Sequence, residues 1–309
     1  VPLDDYIATV IGTVRDDIDF RGILSADILY TGSSSGIPSY SPSSNAHYQA
    51  LEDQGIDLQT ALVATTQSAN SDITTNAAAG VLTTRSAAKA FFIDGTNRAM
   101  IRFTILNHLC RDMEQLHDVT RAPDRIRQDV SRSPGGDSRI FLNNCIGCHS
   151  GMDAMAQAFA YYDYEDDVAN DPDGINGQVK YNDIAESDPV TGTRVVEKYY
   201  SNSLNFEHGF ITPDDSWSNY WRQGQNQRLG WNLALPGSGT GASSLGQELA
   251  NTLAFAQCQV EKVFHNVCLR PPEDSEDRAQ IDTMVTSLQA NGYRLRNTFA
   301  EAAVYGMGS

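Results

Sequence analysis

The sequence lacks long apolar runs and clusters of basic residues. Its longest apolar stretches are short pieces such as residues 88–93, whereas a membrane-spanning helix needs roughly 18 apolar residues. The 309 residues include 22 Lys and Arg against 39 Asp and Glu, a net charge of −17. We therefore expect no transmembrane segment and no nucleic-acid partner, because neutralising phosphates requires basic clusters. The acidity either steers a basic protein partner toward the chain or only keeps it soluble.

The sequence also lacks a leader, a repeat and convincing strand alternation. It begins at Val1 without a Met or a basic-then-apolar segment, so we expect the numbering to start after a removed signal peptide or at a cloning boundary. Apolar residues instead recur at the i, i+3, i+4, i+7 spacing of amphipathic helices. Two such sets are Ile7, Val10, Ile11 and Val14, and Ile281, Met284, Val285 and Leu288.

Polar, Ser-, Gly- or Pro-rich stretches separate the expected helices, at residues 31–46, 119–144 and 163–203. We predict a mainly α, irregular helical protein with long loops. A short helix is expected to end at Gly32, and a Thr-Pro-Asp-Asp start at residues 212–215 predicts a helix that ends at Gly224. Three parts, residues 1–95, 96–235 and 236–309, are expected to form one compact unit.

Five consecutive residues near the middle of the chain have the spacing of a cofactor-attachment site. They are Cys145-Ile146-Gly147-Cys148-His149, the order C-x-x-C-H. In such a site two thiols add across the two vinyl groups of haem, and the next His ligates the iron. The motif therefore predicts one covalently attached haem c, held by Cys145 and Cys148, with His149 as the proximal axial ligand. No catalytic residue is assigned.

Three other interpretations of the paired cysteines are weaker. A zinc site needs four ligands, and Cys110, Cys258 and Cys268 provide no second pair. A thioredoxin-like site needs a preceding strand and an α/β pattern, whereas residues 139–142 are a weak strand candidate in a helical sequence. The third alternative is a plain disulfide between the two motif cysteines.

The three remaining cysteines leave two alternatives. If residues 258–268 form continuous helix, Cys258 and Cys268 lie about 15 Å apart, which is too far for a bridge. Cys110 would then pair with one of them in an oxidising compartment. The other alternative is three buried free thiols.

The sixth coordination position of the iron decides between electron transfer and ligand activation. We favour His208, in a loop before a Trp-rich segment, as the distal ligand. Met152 and Met155 follow His149 too closely to reach the opposite face of the ring, and their spacing indicates core packing. The remaining distal candidates are His117, Met113 and Met307.

Two further groups have both a functional and a structural interpretation. Oxygens of Asp171, Asp173 and Asn176 would suit Ca²⁺, but the spacing departs from the EF-hand loop, and a solvated turn is favoured. Four aromatic residues could line the haem or a docking surface, although core packing is the favoured interpretation. These are Trp217, Tyr220, Trp221 and Trp231.

Three stretches, in order around the motif, carry a family resemblance. They are residues 17–30 (DIDFRGILSADILY), 145–163 (CIGCHSGMDAMAQAFAYYD) and 249–304. In the second, C-x-x-C-H is followed by a Met-Asp pair and later by an aromatic-Asp pair, with Ala154 where a Pro is usual. In this order the stretches resemble the planctomycete-type cytochrome-like proteins, which have three consecutive domains around a single C-x-x-C-H. The resemblance implies a haem protein of exported redox systems and no particular reaction.

The expected function is one-electron transfer with a protein partner by an exported mono-haem c-type cytochrome. We expect a periplasmic or extracellular location, because the machinery that attaches haem c acts outside the bacterial cytoplasm. One alternative is a haem enzyme, or a sensor of gas or peroxide, with an open distal site. Another is a subunit of a larger or polymeric redox assembly, in which the chain would self-associate.

Overall fold

A computed structural model describes residues 2–93, 95–166, 169, 171, 176–188 and 192–308. The chain is about 51% helical with few short strands, which confirms the mainly α class. Within these ranges the α-helices are α1 (Asp5–Arg15), α2 (Ala46–Asp53), α3 (Leu58–Ala61), α4 (Arg85–Phe91), α5 (Arg98–Leu109), α6 (Ser138–Ile140), α7 (Ile146–Ala156), α8 (Gly241–Ala250), α9 (Leu253–Cys268), α10 (Ser275–Ala290) and α11 (Leu295–Gly306).

Short strands and 3₁₀ turns fill much of the space between the helices. The antiparallel pairs are β1 (Leu29–Gly32) with β2 (Leu62–Thr65), β3 (Tyr162–Glu165) with β4 (Gln178–Tyr181), and β5 (Ser216–Ser218) with β6 (Ser238–Thr240). The 3₁₀ turns span Phe20–Leu24, Gly80–Thr83, Met113–Leu116, Pro134–Gly136, Gln157–Phe159, Ile184–Glu186, Glu197–Tyr200, Tyr220–Arg222 and Gly224–Leu229.

Two adjacent aspartates organise the N-terminal part. The Asp4 carboxylate accepts a hydrogen bond from the Ile7 amide at 2.8 Å and so caps α1. The buried Asp5 carboxylate instead accepts from the Arg85 and Ser86 amides, at 2.6 and 3.1 Å. Asp5 thus supplies partners for two backbone donors at the start of α4, which ties α4 to α1.

Helix α9 is central to the C-terminal part and packs against α5, α10 and α11. Thr252 caps it by accepting from the Phe255 amide at 3.0 Å. Cys258 and Cys268 both lie on this continuous helix, and Cys110 at the end of α5 forms a disulfide with Cys258. Of the two alternatives that the sequence left open, the structure therefore has the pairing of Cys110 with one of the two cysteines, and Cys268 is a free thiol.

One large apolar cluster draws on all three parts of the chain, with Phe20, Ile105 and Phe255 among its members. A smaller cluster around Tyr30 and Tyr48 fills the space between α1, α2 and β1. None of the helices in the described ranges has the length and apolar character of a membrane span. The division at residues 95 and 235 stays a prediction.

Two local predictions are wrong. The segment ending at Gly32 is strand β1, not a helix, because it pairs with β2. The helix expected after residue 212 is strand β5 followed by a single 3₁₀ turn, since Trp217 pairs with Gly239 and donates its Nε1–H to Ser244 Oγ at 2.8 Å. Trp217, Trp221 and Trp231 are buried, which confirms core packing for these three.

Candidate haem-attachment site

The attachment motif lies inside a longer helical segment. Helix α6 continues through a π turn at Phe141–Cys145 into α7, and the residues at both junctions keep helical backbone angles. π turns within helices are often found at functional sites. Cys145 therefore does not stand at a free helix N-terminus.

Two glycines allow close packing on the buried side of this segment. A Cβ atom at Gly147 would lie 2.4 Å from Nε2 of His117, and one at Gly151 would lie 2.1 Å from Nε1 of Trp221. The Asp118 amide also donates to the Gly147 carbonyl at 2.9 Å. The helix can approach these neighbours only because both positions lack a side chain.

The three motif side chains are only partly buried, in contrast to the glycines between and after them. Cys145, Cys148 and His149 have intermediate exposure, and neither cysteine is in a disulfide. Ile140 and Leu142, just before the motif, expose 41% and 55% of their surface. The segment therefore offers two free thiols, an accessible imidazole and uncovered apolar surface, which is the set of groups that a covalently bound porphyrin requires.

The environment of Cys148 differs from that of a redox-active cysteine. Burial raises the pKa of the Cys148 thiol, and the nearby Glu114 adds to this effect, whereas reactive cysteines have lowered pKa values and commonly sit at helix N-termini. The thioredoxin-like interpretation is therefore disfavoured. Among the described residues, no group of three or more His, Cys, Asp or Glu side chains is placed to hold a metal ion.

The imidazole of His149 is held by a carboxylate one helical turn away. Its Nδ1 lies 3.0 Å from Oδ1 of Asp153, whose side chain is fully buried. Burial alone would raise the pKa of Asp153, but the charge and hydrogen bonds of Arg98, assisted by His149, hold that pKa well below its usual value. An ionised carboxylate can only accept hydrogen bonds, so Nδ1 is the donor. In the neutral ring this leaves the lone pair of Nε2 for a metal.

Arg98 on α5 completes the arrangement. Its guanidinium donates through Nε and Nη2 to Asp153 at 2.7 and 2.9 Å, and through Nη1 and Nη2 to Asp129 at 2.6 and 2.8 Å. The remaining N–H of Nη1 reaches Thr96 Oγ1 at 2.7 Å. All five donors are satisfied. Burial disfavours the charge of Arg98, but the two carboxylates more than compensate and raise its pKa.

Sequence reasoning missed this network. Asp153 entered only as part of the family resemblance, although an acid four residues after a histidine on a helix is a recognisable pairing signal. Arg98 and Asp129 gave no signal of that kind, because they lie on a distant helix and a loop.

The loop that carries His208 lies next to the attachment segment. The Phe206 amide donates to the Gln128 carbonyl at 3.0 Å. The guanidinium of Arg132 lies over the rings of both Phe141 and Phe206, at 4.9 and 4.2 Å. His208 itself is 79% exposed. It stays the predicted distal ligand.

Two other distal candidates contact the motif helix directly. His117 packs against Gly147, and its Nε2 lies 3.2 Å from the Asn143 carbonyl oxygen. Met113 is buried, and its carbonyl oxygen lies 3.5 Å from Cys148 Sγ. Both residues therefore already have partners that a ligand role would disturb.

The remaining methionines occupy different environments. Met307 is 77% exposed after the last helix. Met152 and Met155 are buried in the large apolar cluster, as their helical spacing predicts. They contribute packing to the motif helix.

The candidate calcium loop is described only in part. Asn176 donates to Asp171 Oδ2 through both its amide and its side chain, at 2.5 and 3.1 Å. This is the hydrogen bonding of a local turn. Asp173 lies outside the described residues.

No family model, curated protein or solved structure matches the chain. The likeness to planctomycete-type cytochrome-like proteins thus depends on the quoted residues alone and stays a prediction, and the functional assignment depends on the chemistry of the site.

Proposed function

We propose that this chain is an exported mono-haem c-type cytochrome that exchanges single electrons with a protein partner. The observation that carries the proposal is the pairing of His149 with the buried Asp153 beside two free thiols. Histidines that bind metals commonly donate their second ring N–H to a carboxylate or a carbonyl, which sets the tautomer and the ring orientation. Here that arrangement is present directly after C-x-x-C.

Each motif residue has a defined role in this proposal. Cys145 and Cys148 would form the thioether bonds, and Nε2 of His149 would ligate the iron. Bound haem supplies a one-electron redox couple whose potential the protein tunes. Gly147 and Gly151 let the helix pack closely enough to hold these groups in place, and Asp153 orients the imidazole.

Two further observations support the location and the partner. The Cys110–Cys258 disulfide is typical of oxidising compartments, in agreement with export. The net charge of −17 would steer a basic redox partner toward the protein.

Attachment is tested by producing the chain together with a c-type maturation system and staining a denaturing gel for haem. The unsubstituted chain should retain one haem, and the double variant Cys145→Ala/Cys148→Ala should lose it. Cys268→Ala is the matched control, because it removes a free thiol outside the motif. A chain that never retains haem, or a double variant that still does, would contradict the proposal.

Electron transfer is tested by absorption spectra of the oxidised and reduced protein with and without CO. A low-spin spectrum that CO does not change would support two protein ligands. Rapid CO binding or a high-spin ferric form would instead support the enzyme or sensor alternative.

The same spectra test His208. His208→Ala should create CO binding if this residue is the distal ligand, whereas His265→Ala, at an exposed site on α9, should not. Sedimentation at several concentrations separates a monomeric carrier from a subunit of a larger assembly.

A further inference from the structure

The hydrogen bond between His149 and Asp153 differs from a bond to a neutral acceptor. Oδ1 of Asp153 accepts from His149 Nδ1 at 3.0 Å and from Arg98 Nε at 2.7 Å. The side chain of Asp153 has no exposed surface, while that of His149 is 22% exposed. Arg98 thus keeps a full negative charge in a buried position, directly against the ring N–H.

Such an acceptor changes what the opposite ring nitrogen can donate. A carboxylate pulls on the Nδ1 proton, so the imidazole gains basicity and Nε2 becomes a stronger electron donor. Stronger donation favours the electron-poor ferric iron over the ferrous iron. The reduction potential therefore falls relative to the same site with a neutral acceptor.

The surrounding charges do not produce this effect by themselves. Arg98 and Arg127 face Asp129 and Asp153, so these four formal charges cancel. Arg132 adds a positive charge that interacts with both carboxylates, which would raise the reduction potential rather than lower it. Arg127 is 1% exposed, and its guanidinium donates to Thr96. What remains specific to Asp153 is its direct hydrogen bond to the imidazole.

We propose that Asp153, held by Arg98, is a positioning residue that lowers the reduction potential of the iron through the Nδ1–H group of His149. The inference rests on the proposed haem function and deepens it. A lower potential would make a more reducing protein the suitable electron donor.

The test compares Asp153→Asn with Asp129→Asn in the haem-attached protein, using spectroelectrochemical titration. Both variants remove one negative charge next to Arg98, but only the first removes the ionised acceptor of His149. For Asp153→Asn we expect the equilibrium constant for reduction to rise at least about tenfold, a potential shift of about 59 mV for a one-electron couple. Asp129→Asn should give less than about a third of that shift. Equal shifts, or none, would overturn the inference.

A second measurement needs no substitution and therefore does not depend on the folding of a variant. In the ferrous protein, with CO bound if the sixth position is open, the iron is diamagnetic, and NMR of ¹⁵N-labelled protein can observe the His149 Nδ1 proton. We expect a strongly downfield signal that exchanges slowly with solvent. A rapidly exchanging proton would show that the carboxylate bond is absent.

The proposed function and the inference about Asp153 can be refuted separately. If the unsubstituted chain carries no covalent haem, the proposed function fails. If haem is attached but the potential ignores Asp153, only the present inference fails.

Discussion

Replacing Arg98 by Ala removes the cation that neutralises a fully buried carboxylate. In the folded protein Arg98 donates all five N–H groups, four of them to Asp153 and Asp129. Removing one partner of a buried ion pair leaves an uncompensated charge, which costs about 3–5 kcal/mol. We therefore expect Arg98→Ala to lower the free energy of unfolding by that amount.

Arg102 provides a matched control one turn later on the same helix. It also pairs through two nitrogens with a carboxylate, Asp112, at 3.0 Å. Its side chain is 49% exposed, and exposed pairs contribute about 0–1 kcal/mol. Arg102→Ala replaces the same side chain on the same helix and should cost no more than about 1 kcal/mol.

The pH dependence provides a second arm of the same test. The pKa of Asp153 is lowered in the fold, so its stabilisation is present above the unfolded value of about 3.9 and is lost as pH falls further. Without Arg98, burial would raise the pKa of this carboxyl group, and the variant would lose stability as pH rises. The difference in the free energy of unfolding between the wild type and Arg98→Ala should therefore be largest near neutral pH and should decrease toward about pH 4.

Guanidinium unfolding of the wild type and both variants, followed by far-UV circular dichroism at neutral pH and near pH 4, measures these differences. Similar small losses for Arg98→Ala and Arg102→Ala would refute the account of the buried pair. A difference that does not change with pH would refute the assignment of the charge to Asp153.

Three further predictions concern packing, protonation and the disulfide. Gly151→Ala would place a methyl group 2.1 Å from an indole nitrogen and should cost about 1–3 kcal/mol in thermal unfolding. Gly22→Ala, where the added methyl group would lie 3.4 Å from its nearest neighbour, should leave the free energy of unfolding unchanged. Equal losses for the two variants would contradict the clash at Gly151. Burial lowers the pKa of His108 to about 3, so the unfolded chain binds a proton below about pH 6.5 while the folded chain does not. Stability should then fall by up to about 1.4 kcal/mol per pH unit below that value; His108→Gln should remove this slope, and an unchanged slope would contradict the assignment. Cys258→Ala opens a cross-link between positions 148 residues apart and should cost up to about 5 kcal/mol in chemical denaturation. Cys268→Ala should cost little, and a similar loss there would contradict a role of the cross-link.

The local sequence pattern was sufficient to predict a helix where the helix is amphipathic and has its own capping residues. Helices α1 and α10 follow the predicted apolar periodicity. α1 begins after the Asp4 cap, and Gly292 has a positive φ just after α10. Their neighbours in the sequence carry enough information to specify them.

The local sequence pattern gave the wrong secondary structure where pairing with a distant segment determines the backbone conformation. The Thr-Pro-Asp-Asp start at residues 212–215 is a good helix signal, yet the chain becomes strand β5. Its partner β6 follows only after the two 3₁₀ turns at Tyr220–Arg222 and Gly224–Leu229. In the pair, Trp217 gains both a strand neighbour and the hydroxyl of Ser244. Tertiary pairing of this kind outweighs propensity, which contributes only fractions of a kcal/mol per residue.

By itself the sequence determined the C-x-x-C-H spacing and the helical class, because thiol spacing and apolar periodicity are properties of neighbouring residues. Only the tertiary structure decided that Arg98 and Asp129 meet Asp153, and that Cys258 rather than Cys268 is the partner of Cys110. These contacts arise where α5 packs against α7 and α9. The groups that meet there are far apart in sequence, so no local pattern specifies them, and burial determines how strongly their charges interact.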